Sequence, residues 1–402
     1  MQDSYKNKLK YLTLLLFLSK LSFTQEINGI FTKDSINSIY NSVINSISSD
    51  VQILGLGEQY HGDGETFSIK SDLMQLLGKK KNAVCFFESS AFGCQKGAEL
   101  GLYNDTLNMG INSIWSRTKE FQPLIKTLQK KEIEYAGIDP QIYDNYANYY
   151  LADFIKNSLD SLKILSKKQL SDLLNTTDSL IKHRYKYHFS SLRFSEWVTI
   201  FSIIDNNKFR FNLKDYYIIL NLKNYGMLVN KYANSQNNFS MANRFRDSLM
   251  SLNCVYLIEN FYKNRLIVLS AASFHLTKKH NIDYPASDES VKTLGDFLAE
   301  KYSNKYSTII FTSSSGFHAL YNEVKLEKVP KPKNNSIEKM LHNRQFEYAF
   351  VNFNKDTSFP FMYYMPEGYE YVKITNPKIH FDSIFYVKQM QRVQSNISSK
   401  KN

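Results

Sequence analysis

The chain has 402 residues, of which 43% are hydrophobic, including 28 Tyr and 28 Phe. This content excludes disorder over most of the length and suffices for a sizeable core, in one large α/β domain or two ordinary ones. The formal net charge is +12, but the lysines are scattered through polar loops and form no stripe with interleaved aromatic residues. We therefore expect a solvated basic surface and no nucleic-acid partner.

The N-terminal residues have the order of a secretory signal peptide. Lys6, Lys8 and Lys10 precede an apolar run from Tyr11 to Leu18, and a short polar stretch follows. The run is shorter than the roughly 18 apolar residues that a membrane span needs. We predict a signal peptide over residues 1–24, an exported protein in the periplasm or the extracellular space, and no stable membrane anchor.

Six short apolar runs have strand character, and helical patterns such as 67–77 and 121–130 fall between them. The runs are Val51–Leu56, Ala83–Phe87, Ile133–Gly137, Leu266–Ser270, Ser307–Thr312 and Tyr348–Phe353. Such alternation is typical of βα units. We predict an α/β fold with a mostly parallel central sheet flanked by helices.

The strand pattern stops between residues 146 and 240. Residues 151–185 have apolar side chains at three- and four-residue spacing and contain no Pro or Gly, which indicates long amphipathic helices. We predict a helical insertion here that covers the working edge of the sheet, within one domain spanning residues 25–394. The last residues, 395–402, are predicted to be a disordered tail.

The three cysteines show no metal-ligand spacing. Cys85 and Cys254 lie in apolar surroundings, so both are predicted to be buried thiols. A bridge between Cys85 and Cys94 stays open as an alternative in an oxidising compartment.

Four of the predicted strands are followed by ionisable side chains. These are Glu58, His61 and Glu65 after the first strand, Glu88 after the second, Asp139 after the third and His275 after the fourth. The carboxyl ends of parallel strands meet at one edge of a sheet, where ligands of open α/β folds bind. The sequence therefore predicts a functional site at this edge.

A predicted helix over residues 241–261 adds further polar groups. Arg246 and Asn253 share one face of this helix, and Asp247 lies beside them. An arginine on a packed face indicates either an anionic ligand or a core carboxylate such as Asp139 or Glu88. Both interpretations stay open, because a catalytic carboxylate needs an orienting partner.

This combination favours hydrolysis by an activated water. The sequence has no Gly-x-Ser-x-Gly motif and no cysteine beside a base at a strand end. A histidine flanked by carboxylates can take a proton from water, and a nearby cation can stabilise the developing oxyanion. We assign His61 as the base, Glu58 and Glu88 as orienting groups, and Arg246 with His275 as ligands of the acyl oxygen. The predicted substrate-binding residues are Glu65, Asp139, Asp247 and Asn253.

The same residues allow two other interpretations. His61, Glu65, Glu88 and His275 are acceptable ligands for Zn²⁺ or Mn²⁺, but His-x-x-x-Glu is a weak signal, and the glycine at 62 predicts a turn. His61 could alternatively be a loop residue that caps the next helix. We predict no metal and no cofactor.

Four stretches, taken in order, resemble the erythromycin esterase family. They are GLGEQYHGDGETF, CFFESS, IWSRTKEFQPLIKTLQKKEIEYAGID and RFRDSLMSLN, within a likeness over roughly residues 45–355. The resemblance implies an α/β enzyme with a helical subdomain and a deep cleft. It also implies hydrolysis of a small-molecule ester by a histidine-activated water without an obligatory metal. By position, His61 would be the base, and Glu58, Glu65, Glu88 and Arg246 would line the cleft.

One departure from the family pattern concerns the segment after the fourth strand. His275 matches the second of two family histidines, whereas Ala272 occupies the position of the first. A methyl group cannot donate a proton or polarise a carbonyl, so either another group such as His280 substitutes or turnover is weakened. The alternative hypothesis is therefore a small-molecule-binding protein that keeps the pocket but has lost the chemistry.

Overall fold

The computed structural model describes residues 30–31, 36–104, 107–234, 239–279, 292–334, 336–353, 362–364, 372–374 and 376–396. The predicted signal peptide lies outside these ranges, as does most of the predicted tail. The first two residues of the predicted tail contact residues 117 and 118. Ser395 forms a bridge with Thr118, and the Asn396 backbone N–H donates to the Arg117 carbonyl at 2.9 Å.

The centre of the protein is an eight-stranded sheet. The strands along the chain are β1 (Ile30–Phe31), β2 (Ile53–Glu58), β3 (Val84–Ser90), β4 (Tyr135–Asp139), β5 (Ile267–Ala272), β6 (Tyr306–Ser313), β7 (Phe317–His318), β8 (Glu327–Lys328), β9 (Tyr348–Asn352), β10 (Met362–Tyr364), β11 (Val372–Ile374) and β12 (Ser383–Val387). The order in the large sheet is β1-β9-β12-β6-β2-β5-β3-β4, and only β9 runs against the others. Two small hairpin sheets pair β7 with β8 and β10 with β11.

The predicted α/β class with a mostly parallel sheet is confirmed. Each of the six predicted strands is present, displaced by at most a few residues. Two strands of the large sheet, β1 and β12, were not predicted. The strand β12 joins the parallel part of the sheet to antiparallel β9. Without it, the predicted strands do not form one continuous sheet.

Helices cover both faces of the sheet. They are α1 (Ile36–Ser46), α2 (Gly64–Lys81), α3 (Ala91–Leu100), α4 (Ser113–Ser116), α5 (Gln122–Gln129), α6 (Ala152–Asp160), α7 (Lys167–His183), α8 (Ser191–Asn206), α9 (Leu213–Asn234), α10 (Phe239–Phe261), α11 (Ser273–Leu276), α12 (Leu294–Tyr302), α13 (Ile337–Asn343) and α14 (Pro377–His380). Between β4 and β5 the described residues contain helices and no strand, which corresponds to the predicted insertion. A π-helical turn over Ala147–Leu151 leads into it.

Alternation along the strands builds two separate apolar layers. In β3, Val84 and Phe86 pack in the core that includes the helical insertion, whereas Cys85 and Phe87 pack in the core on the opposite face. Successive side chains of a strand point to opposite faces, so a strand covered on both sides is apolar throughout. Because both faces are covered, the edge formed by the carboxyl ends of the strands is where polar groups can gather.

Close packing at the end of β2 brings α11 over this edge. A Cβ added at Gly57 would lie 2.8 Å from the Ser273 Cα atom and 2.8 Å from Ile310 Cδ1. Only glycine permits this approach without displacing the backbone of α11. The short helix that carries His275 is thereby held against the strand that ends in Glu58.

All three cysteines are buried and free, so the structure does not contain the Cys85–Cys94 bridge that the sequence left open. Burial raises the pKa of the Cys85 thiol to about 12, which makes it an unreactive core residue. Within the described part of the chain, no helix is long and apolar enough to cross a membrane.

The unpredicted strand β12 supplies a test of the core. Phe385 is fully buried and stacks on Phe311 with the ring centroids 5.5 Å apart. A Phe385→Ala variant is expected to lower the free energy of unfolding by about 3–5 kcal/mol, because it leaves a cavity between packed layers. Urea denaturation measures the change, with Leu192→Ala on the exposed side of α8 as the control. Equal stability of the two variants would contradict the position assigned to β12.

Candidate active site

Two buried carboxylates lie on either side of the end of β5. Glu58 is opposite Ala272 in the β2–β5 register, and Phe87, the residue before Glu88, is opposite Ser270 in the β3–β5 register. Glu58 is completely buried and Glu88 is 6% exposed. Parallel pairing therefore places both carboxylates at one edge, as the strand-end argument predicts.

Glu58 is the acceptor for three different donors. One carboxylate oxygen accepts from His61 Nδ1 at 3.1 Å and from Trp115 Nε1 at 3.0 Å. The other oxygen accepts from the ammonium group of Lys70, which is itself fully buried. Burial alone would raise the pKa of Glu58, but Lys70 and His61 outweigh it and lower the pKa. The carboxylate is therefore ionised and can only accept hydrogen bonds.

The state of Glu58 determines which nitrogen of His61 carries the proton. An ionised carboxylate requires a proton on Nδ1 of the neutral ring, which leaves the lone pair on Nε2. The His61 side chain is 35% exposed, in contrast to the groups that surround it. The rings of His61 and Trp115 also pack in a T-shaped arrangement, with their centroids 5.7 Å apart and an interplanar angle of 88°. This histidine is thus fixed on one side and accessible on the other.

The second half of the site is organised by Arg246 of α10. Its Nε donates to both Asp139 carboxylate oxygens at 3.1 and 3.2 Å, and its Nη2 donates to Asp139 at 2.5 Å and to Glu88 at 2.6 Å. The guanidinium therefore ties the ends of β3 and β4 to the helix. Burial by itself would raise the pKa of Glu88, but His275 and Arg246 hold it well below its usual value.

His275 is held between two carboxylates. Nδ1 lies 2.5 Å from Asp247 Oδ1, and Nε2 lies 3.2 Å from Glu88 Oε1. Burial would lower the pKa of His275, but Asp247 and Glu88 together raise it to about 10. Both carboxylates favour the imidazolium form, in which the ring donates from both nitrogens, and we therefore assign His275 the role of a cation.

The contacts around Glu58 and the contacts around Arg246 influence each other electrostatically. His61 contributes to the lowered pKa of Glu88, and Glu88 opposes the effect of burial on the pKa of Lys70. The structure thus brings together seven of the nine predicted site residues: Glu58, His61, Glu88, Asp139, Arg246, Asp247 and His275.

The other two predicted site residues lie apart from this cluster. Glu65, in the first turn of α2, accepts from the Tyr348 hydroxyl at 3.4 Å, its one side-chain hydrogen bond within the described chain. Asn253 is completely buried, and its side-chain amide donates to the Ile138 carbonyl at 2.8 Å and to Asn221 at 2.5 Å. Asn253 therefore anchors α10 to β4 from a buried position.

Ala272, the departure from the family pattern, lies within the cluster. Its backbone N–H donates to Glu88 Oε2 at 3.1 Å. The backbone thus keeps a hydrogen bond to the carboxylate, whereas its methyl side chain offers no polar group. Among the described residues, no group of three or more His, Cys, Asp and Glu is arranged to hold a metal ion.

Sequence reasoning missed Lys70 and Trp115 as members of the site. Lys70 is on the same face of α2 as Met74 and Leu77, both completely buried. A lysine at i with apolar residues at i+4 and i+7 lies on the packed face, and a buried ammonium group requires an anionic partner. That spacing was the available signal. Trp115 offered none of this kind, because its partner Glu58 is 57 residues away.

Comparisons with known proteins agree with the α/β class of the fold. The sequence model of the erythromycin esterase family matches residues 107–390, which is most of the chain. The chain therefore belongs to the erythromycin esterase family. The matched range begins after the stretch that contains Glu58 and His61. No curated protein matches the sequence.

Three solved structures share the fold. A Bacillus cereus protein has a TM-score of 0.72 at 16% identity, covering 92% of this chain and 97% of that chain. A succinoglycan biosynthesis protein has a TM-score of 0.67 at 15% identity, covering 86% and 90%. A histidine-to-asparagine mutant of erythromycin esterase EreC, in its open conformation, has a TM-score of 0.61 at 16% identity, covering 89% and 95%. At these identities the likeness establishes the fold alone.

The buried pair of Lys70 and Glu58 generates a prediction about stability. A Lys70→Met variant keeps the side-chain length but leaves the Glu58 carboxylate without its cation. Breaking a buried pair in this way is expected to cost about 3–5 kcal/mol in the free energy of unfolding. Chemical denaturation measures the loss, and the double variant Lys70→Met/Glu58→Gln should recover part of it.

The matched control is Lys182→Met, which breaks the exposed pair of Lys182 with Asp178. Exposed pairs contribute little, so this variant should denature at nearly the wild-type urea concentration. A Lys70→Met protein as stable as the control would show that the ammonium group does not stabilise Glu58.

Proposed function

We propose that the protein is a hydrolase that cleaves an ester or lactone of a small molecule by a water molecule that His61 activates. Family membership supports the hydrolase class. The observation that carries the finer proposal is the hydrogen bond of 3.1 Å between His61 Nδ1 and Glu58. It holds the ring in the tautomer whose Nε2 can accept a proton.

The proposed reaction begins with water at His61 Nε2. The histidine takes a proton as the water oxygen attacks the acyl carbon, and Glu58 stabilises the imidazolium that forms. Lys70 and Trp115 hold the Glu58 carboxylate in place, so the base is oriented by buried groups. Collapse of the tetrahedral intermediate then breaks the bond to the leaving alcohol, which takes the proton back from His61.

Arg246 is the proposed source of oxyanion stabilisation. Its Nε and Nη2 donate to carboxylates, whereas Nη1 lies 3.4 Å from His275 Nε2 and donates to no carboxylate among the described residues. Nη1 is therefore the donor that an acyl oxygen could engage. Both ring nitrogens of His275 are taken by Asp247 and Glu88. We accordingly assign His275 the role of maintaining positive charge beside Arg246 and not that of a direct ligand.

A second candidate function is small-molecule binding without turnover. The observation that favours it is the methyl side chain of Ala272 at the edge of the Glu88 group, where the family resemblance places a histidine. A protein of this kind would bind esters and release them unchanged. Stoichiometric binding with no product after prolonged incubation would favour this candidate over the hydrolase.

Export is also part of the proposal. It rests on the order of lysines, apolar run and polar stretch within residues 1–24. Secretion of the full chain from a bacterial host, with an N-terminus near residue 25 by mass spectrometry, would support it. Retention of the uncleaved chain in the cytoplasm would contradict it.

The role of His61 is tested by substitution. A His61→Ala variant is expected to lose activity by about 10²–10⁴-fold on any ester or lactone that the wild-type protein cleaves, because the general base is removed. Rates come from a panel of 4-nitrophenyl esters and small lactones, with circular dichroism to verify the fold. His188→Ala, at an exposed position of the insertion, is the control. Undiminished hydrolysis by His61→Ala would remove this residue from the mechanism.

A further inference from the structure

The segment of residues 388–396, which follows β12, crosses the edge where the parallel strands end. Its starting point is fixed, because β12 pairs with a neighbouring strand on each side within the sheet. The Met390 backbone N–H donates to the Ser315 carbonyl at 2.8 Å, and the Phe317 N–H donates to the Met390 carbonyl at 3.0 Å. The 388–396 segment therefore runs first along the residues that follow β6.

The same segment then pairs with the loop that carries His61. Residues 62–64, directly after His61, lie antiparallel to residues 391–393. Two backbone hydrogen bonds, of 2.7 and 3.1 Å, flank the central bridge of this pair. The donors and acceptors are the Gly64 N–H with the Gln391 carbonyl, and the Val393 N–H with the Gly62 carbonyl. The loop after the proposed base is therefore held by backbone bonds on both sides of its centre.

Glycine at position 64 permits this close contact. A Cβ added there would lie 2.7 Å from the Arg392 carbonyl oxygen and 2.9 Å from the Gln391 carbonyl oxygen. Backbone atoms cannot rotate away as the end of a flexible side chain can, so a larger residue would push the segment off the loop. The path of the 388–396 segment and the position of the loop thus depend on each other.

Further along, the 388–396 segment is bonded to the residues that follow Trp115. The Lys119 N–H donates to the Gln394 carbonyl at 2.8 Å. His61 and Trp115 donate to the same carboxylate oxygen of Glu58, at 3.1 and 3.0 Å. The segment therefore joins the two stretches of chain whose side chains share this oxygen.

The side chain of Arg392 fixes the segment to a third part of the chain, the loop between β7 and β8. Its Nη2 donates to the Leu320 carbonyl at 3.0 Å and to the Glu323 carbonyl at 2.8 Å. Ala319, in the same loop, lies against the loop of His61, because a Cβ added at Gly62 would be 2.5 Å from the Ala319 carbonyl carbon. Arg392 thus connects the segment to a loop that also packs beside the proposed base.

We propose that Arg392 is a positioning residue for His61. Its guanidinium keeps the 388–396 segment in a path where the backbone holds residues 62–64 and the stretch after Trp115 at a fixed separation. That separation lets His61 and Trp115 donate to Glu58 together. The inference rests on the proposed function, because it concerns the same base. Arg392 acts through the backbone and takes no part in the proton transfer.

Kinetics provide the first test, on any ester or lactone that the wild-type protein cleaves. In Arg392→Gln, kcat is expected to fall by about 10- to 100-fold with little change in KM, because a displaced base is no longer aligned for proton transfer. Arg392→Lys keeps a cation that can donate to a carbonyl, so it should lose less. The matched control is Arg344→Gln, at an exposed arginine that follows α13, which should keep the wild-type kcat.

Hydrogen–deuterium exchange provides a test that does not need turnover. Mass spectrometry compares a peptide covering residues 60–66 with one covering β3, residues 84–90. In Arg392→Gln the first peptide should exchange faster than in the wild type and in Arg344→Gln, whereas the second should be unchanged. Gly64→Ala disturbs the same pairing from the side of the loop and should produce the same local change.

The two tests separate this inference from the proposed function. Absence of hydrolysis by the wild-type protein would count against the proposed function, and exchange would still decide whether Arg392 holds the loop. Unchanged exchange over residues 60–66 in Arg392→Gln would overturn the inference. A wild-type kcat in spite of faster local exchange would overturn it too, as would faster exchange in both peptides, which would show that Arg392 stabilises the whole fold.

Discussion

The contact of Arg246 with Glu88 and Asp139 is the interaction on which the rest of the site depends. Each carboxylate ends a separate parallel strand, and both are nearly inaccessible to solvent. Buried carboxylates need a partner, since an unpaired charge in a protein interior is strongly destabilising. The sheet can place acidic groups at this edge only because a helix from beyond the insertion returns with a guanidinium. The helix α10, which follows the insertion, thus contributes to charge balance as well as to coverage.

Charge balance also separates the two histidines into different chemical roles. His275 faces two carboxylates and is buried, so it holds a proton. His61 faces one carboxylate whose charge is already offset by Lys70, and its other side is exposed. One site can therefore hold a cation at His275 beside a solvent-accessible histidine at 61. The same sheet edge therefore supports both.

Local patterns were sufficient to predict most of the fold. Five of the parallel strands are apolar runs bounded by turns, and their order with helices fixes the class. The strand Ser383–Val387 was not predicted, although it lies inside the sheet and Ile384 to Val387 form an apolar run like those of the predicted strands. Its stability comes from two neighbouring strands that are distant in sequence, and such pairing cannot be read from local propensity.

Site residues could be predicted where the direction of a strand or the spacing along a helix determines where the residue lies. Strand ends placed Glu58, Glu88 and Asp139 at one edge, and helix spacing placed Arg246 toward them. Glu65 and Asn253 lie elsewhere because the direction of a side chain within a turn or packed interface depends on tertiary contacts. Trp115 became visible as part of the site only when its partner Glu58 was known.

The protonation of the two histidines tests this account most directly. Nitrogen-15 NMR of a protein labelled in its imidazole rings, with His275→Gln and His61→Ala spectra for assignment, reports the state of each ring nitrogen. The account predicts that at pH 8 both nitrogens of His275 carry protons, and that this ring loses its proton only near pH 10. It also predicts that neutral His61 carries its proton on Nδ1. A neutral His275 at pH 8, or a His61 ring protonated on Nε2 alone, would contradict it.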